Sequence, residues 1–435
     1  HFDLPIAIGI LAASKQIDHK LLNKYLIIGE LSLDGSIQQA KGVLPIALQA
    51  KENGFIGVII PSKNYIEASL VDDLQIIGVN TINDVMAFLN GEKSVENFKQ
   101  NNIQVKSEKD STSTYDFSDV KGQYVVKRAF EIAASGNHNI LLIGSPGSGK
   151  TMLAKCINGI LPDLKKNESI ETTKIYSILN QSIINTEMIT KRPFRKPHHT
   201  ISNVAFVGGG SNPSQGEISL AHNGVLFLDE LPEFKKNVLE VLRQPLEDGY
   251  INISRAKSSS KYPSNFMLIA AMNPCPCGNY GDKKKPCFCN PGSIKKYMNK
   301  ISGPLLDRID MHIEVDSVSF EDLQDKEKSE CSFDIKKRVE RTRDIQDKRF
   351  IGSIHAASNA EMSNKQIEMF CSLNKECLAL LNQAMNKLNL SARSYHRILK
   401  VARTIADHDS SDDIEPNHIA EAIRYRTLDR VNWAA

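Results

Sequence analysis

The run Asn139-Ile-Leu-Leu-Ile-Gly-Ser-Pro-Gly-Ser-Gly-Lys-Thr-Met-Leu-Ala154 leaves a chain little freedom in what it folds into. Asn139 to Ile143 predicts a strand that is apolar on both faces, as in a parallel sheet covered by helices on both sides. Gly144, Ser145, Pro146, Gly147, Ser148, Gly149, Lys150 and Thr151 then spell G-x-x-x-x-G-K-T, followed by Met152. Glycines let the backbone turn tightly, so that several N–H groups converge on one anion where a helix starts near Lys150. Such a loop cradles phosphates. Lys150 is placed to reach the β- and γ-phosphates, and the Thr151 hydroxyl to ligate Mg²⁺. The bland alternative is a Gly-rich turn with a solvated lysine, which full agreement in a strand-loop-helix setting disfavours.

At 435 residues the chain exceeds one core and predicts several domains. Its 54 basic and 51 acidic residues leave a formal charge of +3, so any nucleic-acid-binding surface has to be local. No apolar run approaches the length of a membrane span and no signal peptide is present, which predicts a soluble, cytoplasmic protein without a membrane partner. The His1-Phe2 start, without Met, reads as the cut end of a longer protein.

Gly224-Val-Leu-Phe-Leu-Asp-Glu230 predicts a second buried strand ending in two acids. Behind a phosphate loop, Asp229 suits Mg²⁺ and Glu230 suits the base that polarises the attacking water. Asn265 to Asn273 predicts a third buried strand, ending on an amide able to contact the γ-phosphate. Four of the eight cysteines, Cys275, Cys277, Cys287 and Cys289, form two C-x-C pairs. Four thiolates suit a structural tetrahedral Zn²⁺; reduced, unliganded cysteines are the alternative. Leu246 to Lys261 alternates and predicts a β-hairpin with a basic tip carrying Arg255, Lys257 and Lys261, either a DNA-phosphate contact or a solvated turn. Lys191 to His199, with four cations and two histidines among prolines, reads as a pore or interface loop or as an exposed connection.

Several stretches carry resemblances. GEL-LDG, KGVLPIALQAKENG and the VIIP strand resemble the proteolytic domain of Lon proteases, but Ile6 stands at the nucleophile's place and Pro45 at the lysine's, which implies an inactive docking module over residues 1–95. A helix is expected over Leu4 to Ser14 and another over Val43 to Ala50; residues 96–115 read as a linker. Residues 116–318 resemble an AAA+ ATPase, which implies that Asp119, Val120 and Gln123 lie near the adenine and that Asn273 is a sensor. Ser302 to Asp310 is similar to segments of magnesium chelatase subunits and MCM helicases whose arginine reaches a neighbour's nucleotide. Arg308 is then a trans finger, or else pairs with Asp307 or Asp310. Residues 319–435 predict a helical lid, in which Arg393 takes the place of a sensor arginine and Arg397 competes for it.

With RPFRKPHHT, VGGG, GEISLAH and LPEF in order, the chain resembles the ComM/YifB family, also called magnesium chelatase subunit I-like. The resemblance implies an α/β fold, an AAA+ P-loop three-layer core with a C-terminal helical lid behind a Lon-like α/β domain. It also implies a homo-oligomeric, hexameric ring that hydrolyses ATP with Mg²⁺ and works on single-stranded or branched DNA. The alternatives are a magnesium chelatase-type subunit and a nucleotide-dependent switch without DNA activity.

Overall fold

The computed structural model describes residues 2–98, 115–179, 188–209, 214–254, 259–282, 285–318, 329–353, 356–388 and 390–426. The chain divides into two compact units, His1–Asp110 with Leu164–Lys191, and Ser111–Asp163 with Arg192–Ala435. Residues 164–191, which the sequence reading leaves within the 116–318 stretch, therefore belong with the first unit.

In the first unit, Tyr25–Ile27, Gly57–Pro61 and Gln75–Val79 form a parallel sheet with Gly57–Pro61 in the centre. Every residue of that central strand is buried, because helices cover both of its faces. Alternate side chains feed two apolar clusters: Ile59 joins Leu4, Ile8 and Phe88, while Val58 and Ile60 join Val43, Leu44 and Ala47. Asp34 and Gly35 turn the small hairpin of Glu30–Leu31 and Ile37–Gln38, Gly35 taking a φ of +82°. The helix expected to be buried over Leu4 to Ser14 runs Asp3–Ala13 and is only half covered: Leu4, Ile8 and Ala12 face inward, whereas Ile6 and Ile10 are exposed. One sheet face takes one helix stripe, whatever the composition of the rest. Val95–Phe98 continues the fold as a 3₁₀ turn, burying Phe98 edge-on against Phe88, so residues 96–98 of the expected linker belong to the first unit's core. Residues 99–114 of that linker lie outside the described residues.

The second unit is built on five parallel strands in the order Met311–Glu314, Ile140–Ile143, Met267–Met272, Val225–Leu228, Phe194–Arg195. The three expected strands are buried throughout. Their alternation splits the unit into two cores. Leu141, Leu226, Leu228, Leu268 and Ala270 pack with Phe206, Leu231 and Phe234; Ile140, Leu142, Phe227, Ile269 and Ala271 pack with Phe130, Leu153, Ile398 and Ala402. The two outer strands, with few apolar residues, carry no such signal. C-terminal to the sheet come helices Ser332–Arg349, Asn364–Phe370, Lys375–Leu388, Ala392–His408 and Pro416–Arg424. Their starts are legible: the Ser391 hydroxyl accepts from the Ser394 amide at 3.1 Å, and Ser363 and Gln366 form a reciprocal cap.

Candidate functional site

The loop from Gly144 to Gly149 leaves the Ile140–Ile143 strand and enters the Lys150–Cys156 helix, as its spacing predicts. Its glycines act differently. Gly147 and Gly149 sit at φ +85° and +88°, where a side chain is strained although nothing lies within 4 Å of a Cβ. Gly144 is a packing glycine, since its Cβ would stand 2.3 Å from the Val315 carbonyl. Lys150 is buried, and Nζ donates to the Gly144 and Ser145 carbonyls at 2.7 and 2.9 Å and lies 3.3 Å from Asn273 Oδ1. Burial holds its pKa below the usual lysine range, with Asp229 opposing. Met152 packs, half-buried, against the core behind.

The Thr151 hydroxyl donates to Asp229 Oδ2 at 2.9 Å. A hydroxyl and a carboxylate meeting beside a phosphate loop form an all-oxygen donor pair that fits Mg²⁺. Glu230 adopts φ +55° and leaves 58% of its side chain exposed. Two partners of these acids escaped the sequence reading. Lys196 Nζ lies 3.0 Å from Asp229 Oδ2, and His199 Nδ1 lies 3.2 Å from Glu230 Oε2. Both come from the Lys191 to His199 run, which is the edge strand Phe194–Arg195 and its exit, set beside Val225–Leu226. The signal available was the pairing of two cation-forming residues with two acids.

Gln123 lines a cavity of about 610 Å³ with Val126, Ile313, Asp316, Ser317 and Arg424. Its amide donates to the carbonyls of Ser148 in the phosphate loop, at 2.9 Å, and Asp316, at 3.0 Å. The Asp119 carboxylate caps the Asp116 amide, and the Val120 side chain is buried in the core. Arg308 is also turned inward. It is 8% exposed and bonds Glu247 and the Pro304 carbonyl, neither of the acids expected as partners. Arg393 keeps 61% of its side chain exposed, 3.8 Å from Asp307, whereas its competitor Arg397 is committed to buried Asp310 at 2.6 Å.

All four sulfurs of Cys275, Cys277, Cys287 and Cys289 lie within 4.8 Å of one another, with three pairs at 3.3, 3.7 and 3.6 Å. Zinc at thiolate distance would set them roughly 3.8 Å apart, so the donor set fits. The Asn279 amide, then Cys275, hold the Cys277 thiol down to about 6, favouring the thiolate a metal needs. This loop also abuts the phosphate loop: a Cβ on Gly278, at φ +82°, would stand 2.4 Å from Pro146 Cδ. The expected hairpin is present as Tyr250–Ser254 paired with Ser259–Pro263, and Lys261 Nζ lies 3.6 Å over the Tyr250 ring. Arg255 and Lys257 lie outside the described residues. Among the described residues no helix is long and apolar enough to cross a membrane.

Comparison with known proteins follows the same outline. The profile for magnesium chelatase subunit ChlI matches residues 116–323, that for its C-terminal part residues 329–426, and a further ChlI profile residues 1–64. The competence protein ComM of Haemophilus influenzae is 45% identical across 99% of this chain and 83% of its own length. The uncharacterised protein YifB of Escherichia coli K12 is 42% identical across 99% and 82%. At greater distance, the magnesium-chelatase subunit ChlI of Mesostigma viride is 19% identical over 74% of the chain and 88% of its own length. The chain belongs to the ComM/YifB family of magnesium chelatase-like proteins, a family of the AAA+ ATPase type.

Proposed function

We propose that this protein hydrolyses ATP with Mg²⁺ in a homo-oligomeric, hexameric ring that works on DNA in the manner of a helicase. The observation that carries the reading is the meeting of Lys150, Thr151, Asp229 and Asn273 at one loop. Loop amides and Lys150 hold the phosphates, Thr151 and Asp229 hold the cation, Glu230 takes a proton from water, and Asn273 orients the γ-phosphate. Mg²⁺ supplies charge neutralisation on the phosphate oxygens when bound. Gln123 and its cavity take the nucleobase. Exposed Arg393 is the better placed cation for a neighbouring nucleotide. Arg308 serves as a trans finger only after exchanging Glu247 for a phosphate, since Glu247 occupies its guanidinium in the isolated chain.

The paired strands from Tyr250 to Pro263 supply the DNA contact, through Lys261 and the tip residues. The name of the Haemophilus relative, a competence protein, agrees with DNA as the partner. Cys275, Cys277, Cys287 and Cys289 hold a structural Zn²⁺ that stiffens the loop beside Pro146. The first unit is a Lon-protease-like module without protease chemistry, its Ile6 and Pro45 having no acid, base or nucleophile.

The test is ATP turnover by the full-length protein with and without single-stranded and branched DNA, beside Glu230→Gln. Stimulation by DNA and a loss of about a hundredfold or more in the variant are expected. Equal turnover by the two proteins with DNA present removes Glu230 as the base and refutes the motor reading. Turnover indifferent to DNA returns the chain to a chelatase-type subunit or switch.

A further inference from the structure

We propose that the cysteine loop and the helix it leads into form a second contact for single-stranded DNA, with Phe288 stacking on a base and the lysines of one groove holding the phosphates beside it. The inference rests on the reading of DNA as the partner, and adds a surface that the hairpin from Tyr250 to Pro263 does not supply. The helix Pro291–Met298 starts where the Asn290 side chain accepts from the Ser293 amide at 2.7 Å, with Pro291 in its first turn. Its apolar residues Ile294, Tyr297 and Met298 are buried in one of the two sheet cores, which leaves Lys295 and Lys296 outward.

Lys295, Lys296 and Lys300 line a groove of about 640 Å³ with Lys236 and Glu233, just past the strand that ends in Asp229 and Glu230. Four lysines there face one acid. Glu233 is already taken by Lys300 at 3.2 Å, and Lys300 also lies 5.6 Å over the Tyr297 ring. Among the described residues Lys236, Lys295 and Lys296 form no ion pair. Like charges gathered in a concave surface repel one another and focus a positive potential, which a polyanion relieves. The groove has far more room than one phosphate group fills, so an extended backbone suits it better than a free ion. Phe288 supplies the rest. Cys287 and Cys289 on either side of it pack, half-buried, against the same core, so the residue between them points out, and Phe288 is 85% exposed. The loop that presents it is gathered tightly, its four sulfurs lying within 4.8 Å of one another. Gly292, four residues on, already lines the groove. An exposed ring beside unpaired lysines is how single strands are held without regard to sequence, bases on the ring and backbone on the charges. An acidic peptide would use the lysines and leave the ring idle.

The experiment follows binding of a fluorescein-labelled oligo(dT) by anisotropy over a salt series, with DNA-free ATP turnover and assembly size by light scattering, all on full-length protein. Wild type is set beside Phe288→Ala, the pair Lys295→Gln with Lys296→Gln, and a control pair, Lys365→Gln with Lys375→Gln, whose exposed lysines do not line the groove. Losing two phosphate contacts should weaken binding roughly tenfold at low salt and lower the slope of log affinity against log salt by about 1.4. Phe288→Ala should weaken binding roughly fivefold or more with the salt slope unchanged, since stacking releases no counterions. The control pair should bind as wild type, and all three proteins should keep DNA-free turnover and assembly. Wild-type affinity in either site variant, or an equal loss in the control pair, overturns the inference while leaving the hairpin as the DNA contact. Loss of DNA-free turnover or of assembly in the groove pair marks the face as a subunit contact and overturns it too. A wild type that binds no oligo(dT) overturns the DNA reading itself.

Discussion

The two edges of the five-stranded sheet each carry an aspartate bonded to a cation, and they hold it in opposite ways. Asp229 follows its strand, at the carboxyl edge, where open parallel sheets bind ligands. It is a quarter exposed and meets one hydroxyl and one lysine, both replaceable by a cation and its waters. Asp310 precedes the Met311–Glu314 strand, at the amino edge, and is completely enclosed. It accepts from the Asn139 amide at 2.9 Å and from Arg397 at 2.6 Å, with His138 Nδ1 at 3.6 Å. Burial alone would raise its pKa; Arg397, then His138 and the Asn139 amide, hold it well below the carboxylate range instead. The same ion-pair chemistry is thus a closed tie to the helices after the sheet at one edge, and an open, exchangeable site at the other.

Substitution at the two edges should separate stability from turnover. Asp310→Ala leaves Arg397 and His138 buried without their acceptor, and should cost about 3–5 kcal/mol in denaturant unfolding. Asp229→Ala removes partly exposed contacts and should cost about 1 kcal/mol or less while abolishing Mg²⁺-dependent turnover. The reverse pattern in a denaturation series would break the comparison. Glu131 extends the closed side. It is buried, and binds His408 at 2.9 Å and Arg338 at 2.5 Å, tying the Tyr124–Gly136 helix to two helices after the sheet. Although burial raises its pKa, His408 and Arg338 together bring it down from 4.5 to about 2. With a depressed folded-state pKa, the carboxylate's contribution is complete above the unfolded value. It is lost as pH falls from about 4.5 towards 2, amounting to about 3 kcal/mol. The stability gap between wild type and Glu131→Gln should close over that window in chemical unfolding; a gap constant with pH would show that the pair contributes nothing through charge.

The open edge was far more legible in the sequence than the closed one. A phosphate loop is local, so Gly144 to Thr151 carry their geometry in their spacing, and ILLI, VLFL and MLIAAM declare buried strands by composition. Asp310, His138 and Arg397 meet across 172 and 87 positions of chain, and no local pattern records such a meeting. Lys196 and His199 lay in between. Their charges were visible, but the two-residue edge strand that delivers them to Asp229 and Glu230 is too short to show a period. Arg308 shows the opposite failure. Its motif is clear, yet Glu247, which occupies it, lies 61 residues away at the foot of the hairpin. The inserted segment 164–191 was missed because its place in the first unit involves Ser177 reaching Glu67 and Lys166 reaching Asp72, pairs of ordinary polar residues distant in sequence.

Gly278 tests whether the cysteine loop supports the open edge. Alanine there meets the Pro146 ring and a left-handed backbone together, a local cost of about 1–3 kcal/mol. Nucleotide affinity, read by fluorescent-ATP titration, should weaken severalfold or more while the closed edge keeps the fold. An unchanged affinity would mean that the two loops touch without supporting each other.

Arg393 and Arg397 give the smallest and most discriminating contrast, because they lie one helical turn apart on the Ala392–His408 helix. Arg397 points its guanidinium at Asp310 and is 18% exposed; Arg393 is 61% exposed and only 3.8 Å from Asp307. Stability should therefore follow Arg397, with Arg397→Ala behaving as a milder Asp310→Ala. Arg393→Ala should leave unfolding within about 0.5 kcal/mol of wild type. If Arg393 lends its charge to a nucleotide, its loss should lower assembled turnover by about tenfold, or roughly 1.4 kcal/mol in the barrier. Mixing Arg393→Ala with Glu230→Gln then decides where the charge acts. A cation supplied across the subunit boundary raises turnover in mixed assemblies above the sum of the two impaired proteins, since the Glu230→Gln protomer still offers its arginine to a neighbour with an intact base. A cation used within its own protomer gives no such recovery, and the arginine then belongs to the same subunit's site.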